Sequence, residues 1–83
     1  MPAVDSDPRA LRVLVIEDER RLRALLLEMI PELSFGATGA SSAEEALAIM
    51  ESDPQDILLL DLQLPGMSGM ELCERVRRRW PAT

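Results

Sequence analysis

The chain has no histidine, one cysteine and only two aromatic residues, Phe35 and Trp80, among its 83 residues. Each shortage removes a class of chemistry. Without imidazole there is no Ser–His or Cys–His nucleophile pair and no nitrogen ligand for a transition metal. Cys73 alone can form neither an internal disulfide nor a cysteine metal cage, and so sparing a use of thiols fits a reducing compartment. Two aromatics leave base stacking almost nothing to work with. Positive charge is scarce as well: nine Lys+Arg against fifteen Asp+Glu give a net charge of −6. Such a chain repels phosphate backbones and anionic lipid, so neither nucleic acid nor membrane is an expected partner. No apolar run approaches the ~18 residues of a membrane span, and the start, Met1 to Pro8, carries acids where a secretory signal carries basic residues. The expected location is the cytoplasm.

What is present suits a single small α/β domain. A hydrophobic content of 47% with 29% charged residues is ordinary for a folded chain. Residues 1–10, rich in Pro and Asp, read as a flexible tail ahead of a domain over 11–83. Leu11 to Ile16 is a short, β-branched apolar run of the kind buried on both faces of a parallel sheet. From Glu19 to Ile30, Leu22, Leu25, Leu26, Met29 and then Leu33 recur at three- and four-residue steps, which predicts an amphipathic helix ended by Pro31. Phe35 to Ala40 is weak by propensity, yet a strand is what a short connection after a helix requires there. Ser42 with Glu45, and Ser68 with Glu71, form capping-box patterns that open helices over about 43–52 and 69–79. Between them, Ile57-Leu58-Leu59-Leu60 is another continuous apolar run and reads as a strand. The order β-α-β-α-β-α implies a parallel sheet with helices on both faces.

Both apolar strands end in acids: Glu17 and Asp18 after the first, Asp61 after the last. Ligands of open α/β sheets bind beyond the carboxyl ends of the strands. If the two strands are neighbours, three carboxylates converge, and their repulsion demands a cation or a raised pKa. An all-oxygen ligand set suits Mg²⁺. An acid after a strand can equally serve as a helix N-cap, and Asp18 is placed to do so. Asp61 is poorly placed for capping, because Leu62, Gln63, Leu64 and Pro65 intervene before the next helix.

The segments Val13-Leu14-Val15-Ile16-Glu17-Asp18-Glu19 and Asp56-Ile57-Leu58-Leu59-Leu60-Asp61-Leu62-Gln63-Leu64-Pro65-Gly66-Met67-Ser68-Gly69, at their mutual spacing, resemble the receiver domain of two-component response regulators. The likeness runs from Arg12 to Trp80. It implies a (β-α)3 portion of the flavodoxin-like receiver fold, with the third strand beside the first. It further implies that Asp61 accepts a phosphoryl group from a sensor histidine kinase in a Mg²⁺-dependent reaction, that Glu17, Asp18 and Asp61 ligate the metal directly or through water, and that the Gln63 backbone carbonyl completes the protein ligands. A phosphoacceptor of this kind is not an enzyme in the usual sense.

The chain also departs from the receiver pattern. Such domains carry a hydroxyl residue at the end of a fourth strand and a lysine at the end of a fifth, and no residue here can be assigned either switch role. The expectation is a receiver truncated after its third helix, with the third strand an uncovered edge open to self-association. The alternative is a receiver-like docking or oligomerisation module that is never phosphorylated. An aspartate-based phosphatase of the haloacid dehalogenase type ranks last, since its Asp-x-Asp pattern has Gln63 in the second position here. The methionines and Cys73 read as packing residues, and the arginines of the third helix as solvated surface.

Overall fold

A computed structural model describes residues 10–61 and 63–83. The expected tail falls, apart from Ala10, outside these residues, as does Leu62 of the second motif. The elements follow the expected order: β1 (Arg12–Ile16), α1 (Arg20–Glu32), β2 (Gly36–Ala40), α2 (Ala43–Ser52), β3 (Ile57–Leu60) and α3 (Gly69–Arg79). The strands form one parallel sheet in the order β2-β1-β3. β1 is therefore the central strand of the three.

Alternation along β1 distributes its side chains between two cores, because successive residues of a strand point to opposite faces. Val13 and Val15 pack with Ile30, Leu26, Leu27, Phe35 and Ala37 under α1. Leu14 and Ile16 pack with Ala40, Ala43, Ala46, Met50, Leu64, Leu72 and Val76 under α2 and α3. A run apolar at every position is thus what a central parallel strand needs. The pairing of β1 with β3 is closed at its start by a reciprocal pair of bonds. The Arg12 N–H donates to the Asp56 carboxylate at 2.8 Å, and the Asp56 N–H donates to the Arg12 carbonyl at 2.9 Å.

β2, Gly-Ala-Thr-Gly-Ala, forms despite its poor propensity because all five of its residues pair with β1 and its small side chains admit α1. A Cβ at Gly39 would lie 2.8 Å from the Leu27 side chain, so α1 sits where a larger residue would hold it off.

Three details of α1 differ from the sequence expectation. Pro31 lies inside the helix, which runs on to Glu32. Proline lacks only the N–H that would reach back to Leu27, and the chain closes instead through Leu33 N–H to Ile30 O at 3.0 Å and Ser34 N–H to Pro31 O at 2.9 Å. The face turned to the sheet is Leu26, Leu27 and Ile30, whereas Leu22, Leu25, Met29 and Leu33 are exposed. The start is capped by Glu19, whose carboxylate accepts the N–H groups of Arg21 and Leu22. Asp18 is accordingly not the cap.

Elsewhere Met50 is fully buried, but Met70 is exposed and Cys73 only half-buried. The last residues also turn back on the fold, with the Thr83 hydroxyl donating to the Gln55 carbonyl at 2.7 Å. No helix among the described residues is long and apolar enough to cross a membrane.

Candidate functional site

Strand pairing builds the acidic corner. The ladder aligns Ile16 with Leu60, so the residues that follow them, Glu17 and Asp61, leave the sheet side by side at its carboxyl end. One further backbone bond, Asp61 N–H to Ile16 O at 3.4 Å, prolongs the pairing to the corner. On the other flank the Glu17 N–H donates to the Ala40 carbonyl at 3.0 Å. Carboxylate oxygens of Glu17, Asp18 and Asp61 all lie within 4.8 Å of one another. Glu17 is buried, while Asp18 and Asp61 are exposed. The corner thus has an inner carboxylate fixed in the fold and two outer ones open to solvent.

Local hydrogen bonds orient each group. One Glu17 carboxylate oxygen accepts the Glu19 N–H at 3.0 Å, an arrangement that directs the buried acid toward the turn between β1 and α1. The Asp61 Oδ1 accepts the Gln63 N–H at 2.9 Å, which limits rotation of that side chain. Because Glu19 serves as the N-cap, Asp18 stays available to the cluster. Beyond Asp61 the loop is anchored by buried Leu64 in the core. It is anchored again at its turn, where the Glu44 carboxylate accepts the Met67 N–H at 3.2 Å. Gly66 has φ of 76° there, a left-handed backbone that glycine adopts without strain.

Beside the acids lies a largely apolar cavity of about 280 Å³. Leu22 and Leu26 of α1 and Leu59 of β3 line it, with Glu17 and Asp61 at its edge. Three formal negative charges with no lysine or histidine among them repel one another at this range, on the order of 1 kcal/mol per pair even in water. Oxygen donors at this spacing suit a small hard dication. The residues present therefore fit Mg²⁺ by their chemistry and by their convergence.

Two contacts at the corner were not foreshadowed by the sequence. The Arg23 Nη1 donates to the Glu17 backbone carbonyl at 2.7 Å, and Glu44 reaches the loop turn as described. Arg23 stands in a run with Arg20 and Arg21, and nothing in periodicity separates it from its neighbours. Glu44 and Met67 are 23 residues apart, beyond any local pattern.

The chain is similar to known proteins over most of its length. The family model for the response regulator receiver domain matches residues 13–83. The transcriptional regulatory protein BaeR of Escherichia coli is 36% identical over 78 residues, which make up 94% of this chain and 32% of BaeR. The sensory transduction protein RegX3 of Mycolicibacterium smegmatis is 43% identical over 67 residues, 81% of this chain and 29% of that protein. The chain thus spans about a third of the length of these curated relatives. Among solved structures, the response regulator TrrA of Thermotoga maritima, crystallised in complex with Mg²⁺-BeF, superposes with a TM-score of 0.80 at 35% identity. That match covers 86% of this chain and 62% of TrrA.

Proposed function

Because this chain belongs to the response regulator receiver domain family, we propose that it is a two-component signal-transduction phosphoacceptor, phosphorylated on Asp61 by a cytoplasmic domain of a sensor histidine kinase. The observation that carries this reading is the convergence of Glu17, Asp18 and Asp61 within 4.8 Å at the carboxyl end of the sheet.

In the proposed transfer an Asp61 carboxylate oxygen attacks the phosphorus of a phosphohistidine. An O–P bond forms as the P–N bond breaks, and the bonding pair stays with the leaving imidazole. Asp61 is exposed, so a donor on another protein reaches it. The bond from Gln63 N–H to Oδ1 holds the carboxylate in one orientation, which removes part of the entropic barrier to attack. Glu17 and Asp18, with Asp61 and the Gln63 backbone carbonyl, would hold Mg²⁺. That ion supplies positive charge against the phosphoryl oxygens, without which the approach of two anions is disfavoured. Residues 11–83 would act as one unit in this, and the receiver assignment needs no catalytic turnover by the chain itself.

We also propose that β3 mediates self-association. Among the described residues β3 pairs only with β1, and Ile57 and Leu59 are exposed. The non-phosphorylated docking reading is set apart by one experiment. Incubation with a small phosphodonor and Mg²⁺, followed by mass analysis, is expected to add one phosphoryl group to the parent chain and none to Asp61→Asn. Labelling that survives Asp61→Asn removes Asp61 as acceptor, and a parent that stays unlabelled favours docking alone. Asp18→Asn is expected to raise the Mg²⁺ requirement about fivefold or more, since one formal charge at contact range is worth at least ~1 kcal/mol.

A further inference from the structure

We propose that Arg23 is a positioning residue for the metal corner, fixing the peptide that joins Glu17 to Asp18 so that both carboxylates face Asp61. The proposal rests on the Mg²⁺ reading of that corner. Its basis is a single short contact with unusual leverage. The Arg23 Nη1 lies 2.7 Å from the Glu17 carbonyl oxygen, and that carbonyl belongs to the peptide plane between the two acids. That plane links the Cα atoms that carry both ligands, so holding it limits the backbone freedom of both, whereas a bond to either carboxylate would orient only one.

The arm that reaches the carbonyl is itself held. Arg23 leaves the first turns of α1 and is half-buried. Its Cδ and Cγ pass 3.5 and 3.6 Å from where a Cβ on Gly39 would stand, so its stem lies alongside β2. One side chain therefore ties α1 to β2 and to the end of β1, the three elements that frame the inner half of the corner. The other partner of the same peptide region, Glu19 N–H on the Glu17 carboxylate at 3.0 Å, fixes the side chain while Arg23 fixes the backbone.

Charge and geometry make opposite demands on this residue, which makes the proposal testable by sign. A guanidinium beside a cation site repels the incoming ion, so removing its charge alone would tighten Mg²⁺ binding. Removing an outer partner that holds the ligands in place weakens binding, typically 10- to 100-fold in metal sites. The test is calorimetric titration of the full chain with MgCl₂, for the parent, Arg23→Met and Arg23→Lys, each checked by thermal melting. Arg23→Met keeps the apolar stem and loses the donor, and is expected to bind Mg²⁺ about tenfold or more weakly. Arg23→Lys keeps the charge but is one bond shorter, and is expected to bind at least ~3-fold more weakly. If Arg23→Met melts below the assay temperature, Arg23→Lys decides. Variants that bind as tightly as the parent, or more tightly, overturn the positioning role and leave the metal reading standing. A parent that takes up no Mg²⁺ overturns the metal reading and the role together.

Discussion

At the amino end of α2 the Glu45 carboxylate accepts both the backbone N–H of Ser41, at 2.6 Å, and its hydroxyl, at 2.8 Å. The Ser41 N–H bond is the larger cause holding this carboxyl below the usual range, the hydroxyl adds to it, and the charge of Arg23 contributes further. A depressed folded-state value means that the contribution is fully present above the unfolded value, near 4.5, and is lost as pH falls through the folded one. Glu45→Gln is thus expected to lower stability slightly at pH 7, by no more than ~1 kcal/mol for so exposed a group. It is also expected to flatten the loss of stability as pH falls below 4.5, read from melting midpoints across the acid range. The residue scale also shows the limits of pattern reading. Glu45 stands three positions after Ser42, as a capping box requires, yet its side chain returns to Ser41 and not to the cap. The three acids of the corner were legible as strand-end residues. The contacts that orient them, from Glu19, Arg23 and Gln63, depend on backbone positions that exist only once the strands have paired.

Among the elements, the helices that open on serine are the most self-contained. The Ser42 hydroxyl accepts the Glu45 N–H and the Ser68 hydroxyl the Glu71 N–H, both at 3.1 Å. Each bond satisfies a donor that the helix cannot. Ser42→Ala and Ser68→Ala are each expected to cost ~1 kcal/mol in denaturant unfolding. For Ser68→Ala the loss falls on the helix that closes one core through Leu72 and Val76. The carboxyl end of α3 reinforces this with Arg77, Arg78 and Arg79 in its last turn, where cations offset the helix dipole. Arg79 grips Glu51 of α2 through two bonds of 2.8 Å. Because serine caps and last-turn arginines act locally, the bounds of α2 and α3 could be read from the chain. β2 was legible only through the connection that requires a strand there and not through propensity, since a Gly-Ala-Thr-Gly-Ala strand is specified by its neighbour across the ladder. The true inner face of α1 could not be read, because Leu25 and Leu27 are equally apolar and only the position of the sheet decides between them.

For the molecule as a whole, the feature with most consequence is a sheet whose β3 edge carries apolar side chains. Leu59 is 44% exposed and Ile57 39%, and Leu59 shares the cavity wall with Leu22 and Leu26 of α1. Such a surface is the kind that proteins cover or pair. Leu59→Lys is expected to bring the mass measured by light scattering down to that of one chain, from a larger value for the parent. Its melting midpoint should fall below the parent's at concentrations where the parent associates, because the stabilisation supplied by the second copy is lost. A parent that runs as a single chain at every concentration contradicts the association. The strand order itself was not available from periodicity. Continuous apolar runs marked β1 and β3 as strands, and only the receiver likeness put them side by side.

Val13 and Val15 serve one core while Leu14 and Ile16 serve the other, so four consecutive residues form the partition between two rooms. The acids hang at the end of that partition. A substitution that displaces this one strand therefore loosens both rooms together, since each of its faces is a wall of one of them.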